Sequence, residues 1–417
     1  MRFGSLKKWL VAGTVLAAGV AIACGNQADS AELNRAFNVT DNTIVVADTG
    51  PGPSPIIEPD VLYKAELDGA RFDRRGWETD FSRHTVPFND IFSGGVGRDG
   101  IPPIDNPKFE TIEEAESVMN ALEPVVTFKI NGEARAYPLA ILTWHEVVND
   151  VVGGVPVTVT FCPLCNSALA FERTLEGRVF DFGVSGNLRN SDLIMWDRQT
   201  QTWWQQLTGE AIIGELAGHR LPFIPAQIIS WADFKEANPG SLVLSRDTGF
   251  SRSYGSNPYS GYDRVDRPPF LFDGDLDERL LPKERVAAFD IGDVSAAFPF
   301  RVLEVERVVN YPVNGTDVVI FHKLGTVSAL DRTLIVDSND VGATGVFDAQ
   351  LDGKKLTFSV KDDRFVDDQA GTFWNILGEA VEGEMKGQSL TPIAHGNHFW
   401  FAWGAFNPDT LTYKGQG

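Results

Sequence analysis

The spacing of apolar and polar positions predicts a chain built mainly from β-strands. Apolar and β-branched residues recur in short runs that Gly, Pro, Asn and Asp separate. Residues 123–149 show this most clearly, because two strand-like runs flank Asn131-Gly132, a pair that favours a tight hairpin turn. Pro138 then opens an apolar i, i+3, i+4 pattern that is typical of a short helix. The predicted fold class is mainly β with short helices (α+β).

The same pattern returns later in the chain. Residues 284–310 align with residues 123–149 without a gap at an offset of 161, and ten of the 27 positions are identical. Gly292-Asp293 falls where the first copy has its Asn-Gly turn. We therefore predict an internal duplication of a β-rich unit of ~160 residues. Two related units pack most simply about a pseudo-two-fold axis.

Composition divides the chain into six segments. They are a lipoprotein-type signal peptide (1–23), a flexible tether (24–60), an irregular N-terminal extension (61–122), a first repeat unit (123–247), a long connecting loop (248–283) and a second repeat unit (284–417). The tether is inferred from its polar composition and its Gly- and Pro-rich end. Near the end of the extension, residues 110–122 have the composition of an amphipathic helix that Thr111 is placed to cap.

The N-terminus has the pattern of an export signal. Arg2, Lys7 and Lys8 precede an apolar stretch, 9–23, that is too short to span a bilayer comfortably. This stretch runs into Ala-Ile-Ala-Cys, which resembles a bacterial lipobox with Cys24 as the lipidated residue, and ordinary signal-peptidase cleavage is the alternative. We expect an exported protein whose N-terminal lipid holds it on the cell membrane or the outer membrane, facing the periplasm or the exterior.

Acidic residues dominate the charge of the chain. It has 57 Asp and Glu against 36 Lys and Arg, which gives a formal net charge of -21 at pH 7. A surface of this sign repels nucleic acid and anionic lipid, so nucleic-acid binding is excluded. The identity of a small-molecule or protein partner stays open.

The cysteines carry the candidate chemistry. If Cys24 is lipidated, Cys162 and Cys165 remain, at the end of a β-branched run that predicts a strand leading into a CxxC turn. Such a turn closes a disulfide, binds a metal ion through two thiolates, or exchanges electrons. The aligned units place His322 opposite Cys162, and His145 ends the short helix of the first unit. Packing about a two-fold axis would bring both histidines to the sulfurs, so we predict a copper or zinc site there.

Polar residues cluster a second time in residues 185–198. Arg189, Asp192 and Asp197 flank an apolar, strand-like run in this segment. Side chains placed in this way line a pocket or cap a turn, and the pattern favours neither.

Four long motifs together resemble a known family. They are SGGVGRDGIPPIDNPKF, ARAYPLAILTWHEVVND, GVPVTVTFCPLCNSALAF and SGNLRNSDLIMWDRQTQTWWQQLTGEAI, and the resemblance covers roughly residues 85–410. They are similar to the bacterial and archaeal domain-of-unknown-function family 3179. The resemblance implies no established activity, metal or substrate. It does imply that its motif positions form a site, namely Asp99, His145, Asn149, Cys162, Cys165, Asp192 and Asp197. The members of this set that are not proposed as metal ligands are pocket candidates, and Arg189 joins them. The pocket candidates are therefore Asp99, Asn149, Arg189, Asp192 and Asp197.

The leading hypothesis is an exported, lipid-anchored protein with a Cys/His copper or zinc site at the CPLC motif. An open coordination position would make the site catalytic or electron-transferring, and a closed one would make the protein structural or a metal carrier. One alternative is an extracellular ligand-binding module in which CPLC forms a structural disulfide and the loops 93–107 and 248–269 line the pocket. A thiol oxidoreductase is the other alternative, although the βαβ surroundings of thioredoxin-like proteins are missing. The sequence leaves open whether the protein is an enzyme.

Overall fold

The computed structural model describes residues 54–415, and strands dominate them. With 39% strand and 12% helix, the chain is mainly β with few short helices, which confirms the predicted class. The α-helices of these residues have four to seven residues each. None of the helices in this part of the chain is long and apolar enough to cross a membrane.

The N-terminal extension has few regular elements and packs against the body of the protein. Its elements are helix α1 (Tyr63–Asp68), strand β1 (Ile91–Ser93), strand β2 (Phe109–Thr111), helix α2 (Ile112–Ala115) and a 3-10 helix at Phe88–Asp90. Thr111 forms the predicted cap, because its hydroxyl accepts from the N–H of Glu114 while the Glu114 side chain accepts from the Thr111 N–H. The helix ends at Ala115, well short of residue 122. The extension joins the body through β1 and through Phe72, whose ring meets the buried Trp203 edge-on at 5.1 Å.

Residues 123–247 contain most of the sheet that surrounds the cysteines. The strands are β3 (Pro124–Ile130), β4 (Glu133–Pro138), β5 (Val147–Val152), β6 (Val155–Cys162), β7 (Ser167–Glu172), β8 (Thr174–Leu175), β9 (Arg178–Val179), β10 (Phe182–Arg189), β11 (Asp192–Asp197), β12 (Trp203–Gln205), β13 (Ala211–Ile213), β14 (Phe223–Ile224), β15 (Gln227–Ser230) and β16 (Leu242–Leu244). Helix α3 (Leu139–His145) follows β4, and helix α4 (Trp231–Ala237) follows β15. Asn131 and Gly132 have φ values of 49° and 81°, so the β3–β4 connection is the predicted hairpin turn.

Residues 284–415 form a similar series of elements. The strands are β17 (Arg285–Ile291), β18 (Val294–Pro299), β19 (Val308–Val313), β20 (Thr316–Lys323), β21 (Ala343–Asp348), β22 (Gln350–Leu351), β23 (Lys354–Lys355), β24 (Phe358–Lys361), β25 (Arg364–Asp367), β26 (Phe373–Trp374), β27 (Ala380–Glu382), β28 (Thr391–Pro392), β29 (Gly396–Phe399) and β30 (Leu411–Thr412). Helix α5 (Phe300–Glu306) follows β18, helix α6 (Trp400–Phe406) follows β29, and a 3-10 helix lies at Ile335–Asp337.

The strand orders of the larger sheets match between the two series. The order β14-β7-β6-β5 in the first series corresponds to β28-β21-β20-β19 in the second. The order β15-β3-β4-β16 corresponds in the same way to β29-β17-β18-β30. In both cases the last pair named, β4 with β16 and β18 with β30, runs parallel while the neighbouring pairs run antiparallel. The order β10-β11-β12-β13 likewise corresponds to β24-β25-β26-β27, and β1 is an additional strand in the first of these two sheets.

One apolar cluster contains buried residues from both series. Phe161 and Trp204 belong to it, together with Val286 and Phe399 from the later part of the chain. Burial of apolar surface on this scale is the main stabilising contribution to the fold. The CPLC turn therefore lies where strands of both series share a core.

Candidate metal centre

The CPLC turn joins two buried antiparallel strands. Strand β6 ends at Cys162, which pairs in register with Ser167, the first residue of β7. The Cys165 N–H donates to the carbonyl of Cys162 at 3.2 Å, and Asn166 reverses the chain with a φ of 51°. The predicted arrangement of a strand leading into a CxxC turn is confirmed, and it places both sulfurs at the end of a rigid hairpin.

The C-terminal part of the chain fixes this turn from the other side. The Phe399 N–H donates to the carbonyl of Cys165 at 2.9 Å, and the Asn166 side-chain amide donates to the carbonyl of Asn397 at 2.5 Å. The exposed fractions of Cys162 and Cys165 are 2% and 0%, and both residues are free cysteines. Any ligand of the two sulfurs must therefore bind inside the protein.

Asp192 brings a carboxylate to the two sulfurs. It begins β11, and one ligand atom each from Cys162, Cys165 and Asp192 lies within 4.8 Å of the other two. Asp192 Oδ2 accepts from the Gln205 amide at 2.7 Å and from the Leu207 N–H at 2.9 Å. The other oxygen, Oδ1, is buried and has no hydrogen-bond partner among the described residues. The thiols of Cys162 and Cys165 interact with this carboxylate and lower its pKa, but no N–H or hydroxyl donor reaches Oδ1 among the described residues. A cation held between the sulfurs and this oxygen would satisfy all three groups.

Burial disfavours the charged forms of all three groups when no cation is present. Burial raises the pKa of the Cys162 thiol and raises that of Cys165 well above its usual range, and the charge of Asp192 adds to both. Burial also raises the pKa of Asp192 to about 6, against the lowering effect of the Leu207 N–H and the Gln205 amide. A bound cation would reverse these shifts, because it stabilises the thiolates and the carboxylate directly.

Glu146 is a further acid at the site, and the sequence analysis missed it. It follows α3, and burial raises the pKa of its carboxyl to about 8, with the charge of Asp192 adding to the effect. Its own charge contributes in turn to the raised pKa of Cys162. The φ of 59° at Glu146 is matched by 65° at Arg307 after α5, so this conformation belongs to the helix–strand junction. An acid is unfavourable at a helix C-terminus, which is the signal that could have identified it.

The connecting loop, residues 248–283, covers the sulfurs. It contributes Tyr262, whose hydroxyl donates to the carbonyl of Leu164 at 3.0 Å, between the two cysteines. Burial raises the pKa of Tyr259, and the charges of Glu146 and Cys162 add to this, which places the phenol beside the same groups. The site therefore combines two thiols, two carboxyls and two phenols.

His145 lies next to Glu146 in the chain but has other partners. Its Nδ1 lies 2.7 Å from the carbonyl of Pro102, which can only accept, so Nδ1 carries the proton. Burial lowers the pKa of His145, and the neutral ring therefore accepts at Nε2 from the Tyr254 hydroxyl at 2.6 Å. His145 links the connecting loop to α3 and is not a member of the Cys/Cys/Asp group.

His322 is also outside this group. It is buried, its ring meets Phe300 edge-on at 5.4 Å, and burial lowers its pKa to about 4. The expectation that it would reach the sulfurs rested on equivalent strand ends approaching each other. Strand pairing makes His322 the counterpart of Phe161, one residue before Cys162, so the expected equivalence of His322 with Cys162 is wrong. The structure brings Cys162 and Cys165 together with Asp192, in a group to which neither histidine belongs.

Two of the predicted pocket residues hold loops and strands together. Asp99 Oδ1 accepts from the Val184 N–H and from the Trp196 indole nitrogen, both at 3.0 Å. Asn149 donates to the carbonyl of Phe182 at 2.8 Å and accepts from the N–H of the same residue at 3.0 Å. These contacts join the Gly-rich loop and β5 to β10, next to the site but without facing the sulfurs.

The last two predicted pocket residues also have structural partners. Asp197 closes the turn after β11, accepting from the Thr200 N–H at 2.6 Å and from the Trp204 indole at 2.9 Å. Arg189 pairs across the β10–β11 hairpin with Asp192, and its guanidinium lies 3.6 Å from the carboxylate of Asp90. Of the five predicted pocket residues, Asp192 is the one that reaches the cysteines.

Substituting Gly183→Ala is expected to destabilise the fold by about 2 kcal/mol. An added Cβ would overlap the carboxylate of Asp99 and the indole nitrogen of Trp196, and both groups are held by their mutual hydrogen bond. Urea unfolding followed by tryptophan fluorescence measures the loss. Gly97→Ala is the matched control, because a Cβ there meets nothing within 4 Å. Equal unfolding midpoints for the two variants would show that Asp99 does not hold the loop.

The predicted export features fall on residues that precede this part of the chain. The signal peptide, Cys24 and most of the tether lie outside the described residues 54–415. The membrane anchor and the location of the protein stay predictions.

The fold and the site define a mainly β protein with a buried pair of thiols beside a carboxylate. Residues 98–410 match the model of the family described as "Protein of unknown function (DUF3179)", and the chain belongs to this family. The resemblance noted in the sequence is thus confirmed over most of the chain. No curated protein and no solved structure matches the chain.

Proposed function

We propose that the protein binds a thiophilic metal cation, zinc in preference to copper, through Cys162, Cys165 and Asp192. One observation carries the proposal: the Asp192 carboxylate lies with both sulfurs in one buried group whose ligand atoms are within 4.8 Å of each other, and its Oδ1 meets no N–H or hydroxyl donor in residues 54–415. Ligand atoms around a tetrahedral zinc ion with Zn–S bonds of 2.3 Å are about 3.8 Å apart. A small contraction of this group would therefore enclose the ion.

The chemistry of the three ligands favours zinc. Two thiolates exclude Ca²⁺ and Mg²⁺, which take oxygen ligands. Cu⁺ prefers sulfur alone, whereas zinc accepts sulfur and carboxylate oxygen in the same shell. The hydrogen bonds from Gln205 and Leu207 to Asp192 Oδ2 orient the carboxylate, as the outer partners of metal ligands commonly do.

Three protein ligands leave one position of a tetrahedral ion open. Zinc sites with three protein ligands and a fourth position for water or substrate are typical of catalysis, whereas structural sites have four protein ligands. Glu146 and Tyr259 are two of the polar side chains that are electrostatically coupled to this group without being ligands in it, and Tyr262 is a third. They would face a molecule bound at the open position, which supports a reactive site over a structural one.

Metal analysis of the full chain tests the proposal. The purified protein is stripped with a chelator, reloaded with Zn²⁺ or Cu⁺, desalted and analysed for elemental content. We expect one zinc ion per chain, and we expect Asp192→Asn to weaken zinc binding by ~100-fold or more, because a ligand is lost rather than an outer partner. Absence of bound metal at every loading ratio would contradict the proposal.

Asp367→Asn is the matched control for Asp192→Asn. Asp367 is equally buried and accepts from the Trp374 indole at 3.1 Å, but it lies outside the Cys/Cys/Asp group. His145→Gln and His322→Gln should also retain the zinc ion. If either histidine variant lost metal while Asp192→Asn kept it, the ligand set would be the one expected from the sequence.

A dithiol that cycles with a disulfide is the second candidate function. It is favoured by the two free cysteines in one short turn and disfavoured by their raised pKa values, since the thiolate is the reactive form. Titration of thiols in the same preparations separates the candidates. A disulfide in the metal-free protein with a measurable two-electron potential would support the second.

We also propose that the protein is exported and lipid-anchored at Cys24, and that its body is a duplicated unit. The basic start, the apolar stretch and the Ala-Ile-Ala-Cys sequence support the first proposal. The aligned residues 123–149 and 284–310 and the matching strand orders support the second. A Cys24→Ser variant that still partitions into detergent with the membrane fraction would contradict lipidation.

A further inference from the structure

The first part of the connecting loop is fastened to the body of the protein. Between β16 and β17 the loop has neither helix nor strand. The Asn257 N–H nevertheless donates to the carbonyl of Thr333 at 2.8 Å, and the Gly261 N–H donates to the carbonyl of Asp331 at 2.6 Å. These backbone bonds hold the region that carries Tyr259 and Tyr262 against the loop that follows β20.

The next part, residues 264–276, is held more loosely, and we call it the flap. The Ser191 hydroxyl donates to the carbonyl of Phe270 at 2.6 Å. Arg71 pairs with Asp273 at 2.7 Å, but both side chains are about half exposed, at 46% and 50%. Exposed ion pairs of this kind contribute little to stability. The hydroxyl of Ser191 is therefore the buried polar contact that holds the flap.

The flap lies directly over the candidate metal centre. Ser191 precedes Asp192, and its carbonyl lies 3.8 Å from Cys162 Sγ. The Phe270 N–H donates at 3.4 Å to the Tyr262 hydroxyl, which in turn donates to the carbonyl of Leu164. Residues of the CPLC turn and of the β10–β11 hairpin are thus connected to the flap through Phe270.

The flap leaves much of its apolar surface in water. Phe270 is 60% exposed, and Val265 and Leu276 are each 40% exposed, while Leu271 and Phe272 are partly buried against the core cluster that contains the cysteines. A segment that buries few apolar side chains and has few backbone hydrogen bonds opens at low free energy.

We propose that the flap is the gate of the sulfur site, which opens by releasing Phe270 from Ser191 and exposes Cys162 and Cys165 to solvent. The inference rests on the proposed function only for what enters, since thiols that are 2% and 0% exposed cannot meet any ion or reagent unless a covering segment moves. The fastened part of the connecting loop stays in place, and the flap swings away from it.

Alkylation of the metal-free full chain tests the gate. Iodoacetamide modification of Cys162 and Cys165 is followed by peptide mass spectrometry, which resolves these residues from Cys24. We expect Ser191→Ala to raise both rates about fivefold, the change in an opening equilibrium that corresponds to roughly 1 kcal/mol for one hydrogen bond. Tyr262→Phe removes a second contact of Phe270 and should raise the rates as well.

Ser260→Ala is the matched control within the same loop. The Ser260 hydroxyl is exposed and contacts Asp331 in the fastened part, so its loss should leave the alkylation rates unchanged. The rates are also measured at low urea concentrations, where local opening gives a shallow dependence and global unfolding a steep one. A steep dependence, or equal rates for Ser191→Ala and Ser260→Ala, would overturn the gate.

The metal experiment and the alkylation experiment test different proposals, so one proposal can be contradicted while the other stands. If zinc does not bind but Ser191→Ala accelerates alkylation with a shallow urea dependence, the gate stands and the metal assignment falls. If zinc binds and its transfer to a chelator is no faster in Ser191→Ala than in Ser260→Ala, the metal assignment stands and the gate falls.

Discussion

Zinc affinity is expected to rise about a hundredfold for each pH unit between pH 7 and pH 8. Burial raises the pKa of both Cys162 and Cys165, so both thiols are protonated over this range in the metal-free protein. Only the thiolates bind the ion, and each proton that must leave changes the apparent affinity tenfold per pH unit. Below pH 6 the slope should approach three protons, because the pKa of Asp192 is raised to about 6 and its carboxyl is then protonated as well.

Competition with a chelator of known pH dependence measures this slope, and calorimetry in buffers of different ionisation enthalpy counts the released protons. Asp192→Asn is the control for the third proton: its affinity is lower throughout, and its slope should stay at two below pH 6. A slope of one or less between pH 7 and pH 8 would mean that the two thiols are not both ligands. The same result would remove the reason for placing the ion at the CPLC turn.

The predictions that succeeded depend on local sequence signals. Asn131-Gly132 determined a hairpin turn, because both residues accept a positive φ that most others avoid. The β-branched run before Cys162 determined a strand for a similar reason, since its side chains suit a pleated, buried surface. Thr111 capped a helix as expected, yet the helix ended at Ala115. Its length depends on tertiary packing, which the pattern of residues 110–122 does not contain.

The site was only partly predictable, because its members come from different sheets. Cys162 and Cys165 lie close in sequence, and the family resemblance grouped Asp192 with them among seven positions, but no local pattern singled out Asp192 as the residue that reaches the sulfurs. The histidine predictions used the repeat to infer distance, and equivalent positions need not approach each other. Glu146 was not predicted, because its neighbour His145 is the more usual metal ligand of the two. Both ring nitrogens of His145 are occupied, by Pro102 and by Tyr254.

The two series of elements differ in chemistry where they agree in topology. Strand pairing makes Lys323 the counterpart of Cys162 and His322 the counterpart of Phe161. The position of Glu146 is taken by Arg307, whose guanidinium contacts Asp363. The four-residue turn after β6 is replaced by a long segment after β20, and part of that segment fastens the connecting loop over the first site. One series thus supplies the acidic and thiol groups, and the other holds in place the connecting loop that covers them.

The metal-free protein is expected to lose stability as the pH rises from about 4 to 8, and Glu146→Gln should remove much of this loss. The folded-state pKa of Glu146 is raised to about 8, whereas the unfolded chain ionises near its ordinary value. The contribution of Glu146 to the free energy of unfolding is therefore fully present below the unfolded pKa. It falls as the pH rises and the unfolded state becomes charged, by ~4 kcal/mol at pH 8. Glu146→Gln removes this loss of ~4 kcal/mol, but burying the amide costs about 2 kcal/mol. The variant should therefore be about 2 kcal/mol more stable than the wild type at pH 8.

Urea unfolding of the metal-free wild type and variant at pH 5 and pH 8 measures the effect, and exposed Glu236→Gln is the control that should change neither value. The raised pKa of Asp192 acts in the same direction, so a smaller pH dependence should persist in Glu146→Gln. An unchanged pH dependence in the variant would show that Glu146 ionises freely and lies in contact with water. If zinc binds at the proposed ligands, its charge should lower the pKa of Asp192, and the loaded protein should lose the part of the pH dependence that belongs to Asp192. Glu146→Gln therefore measures the contribution of Glu146 to the pH dependence, and zinc loading measures that of Asp192.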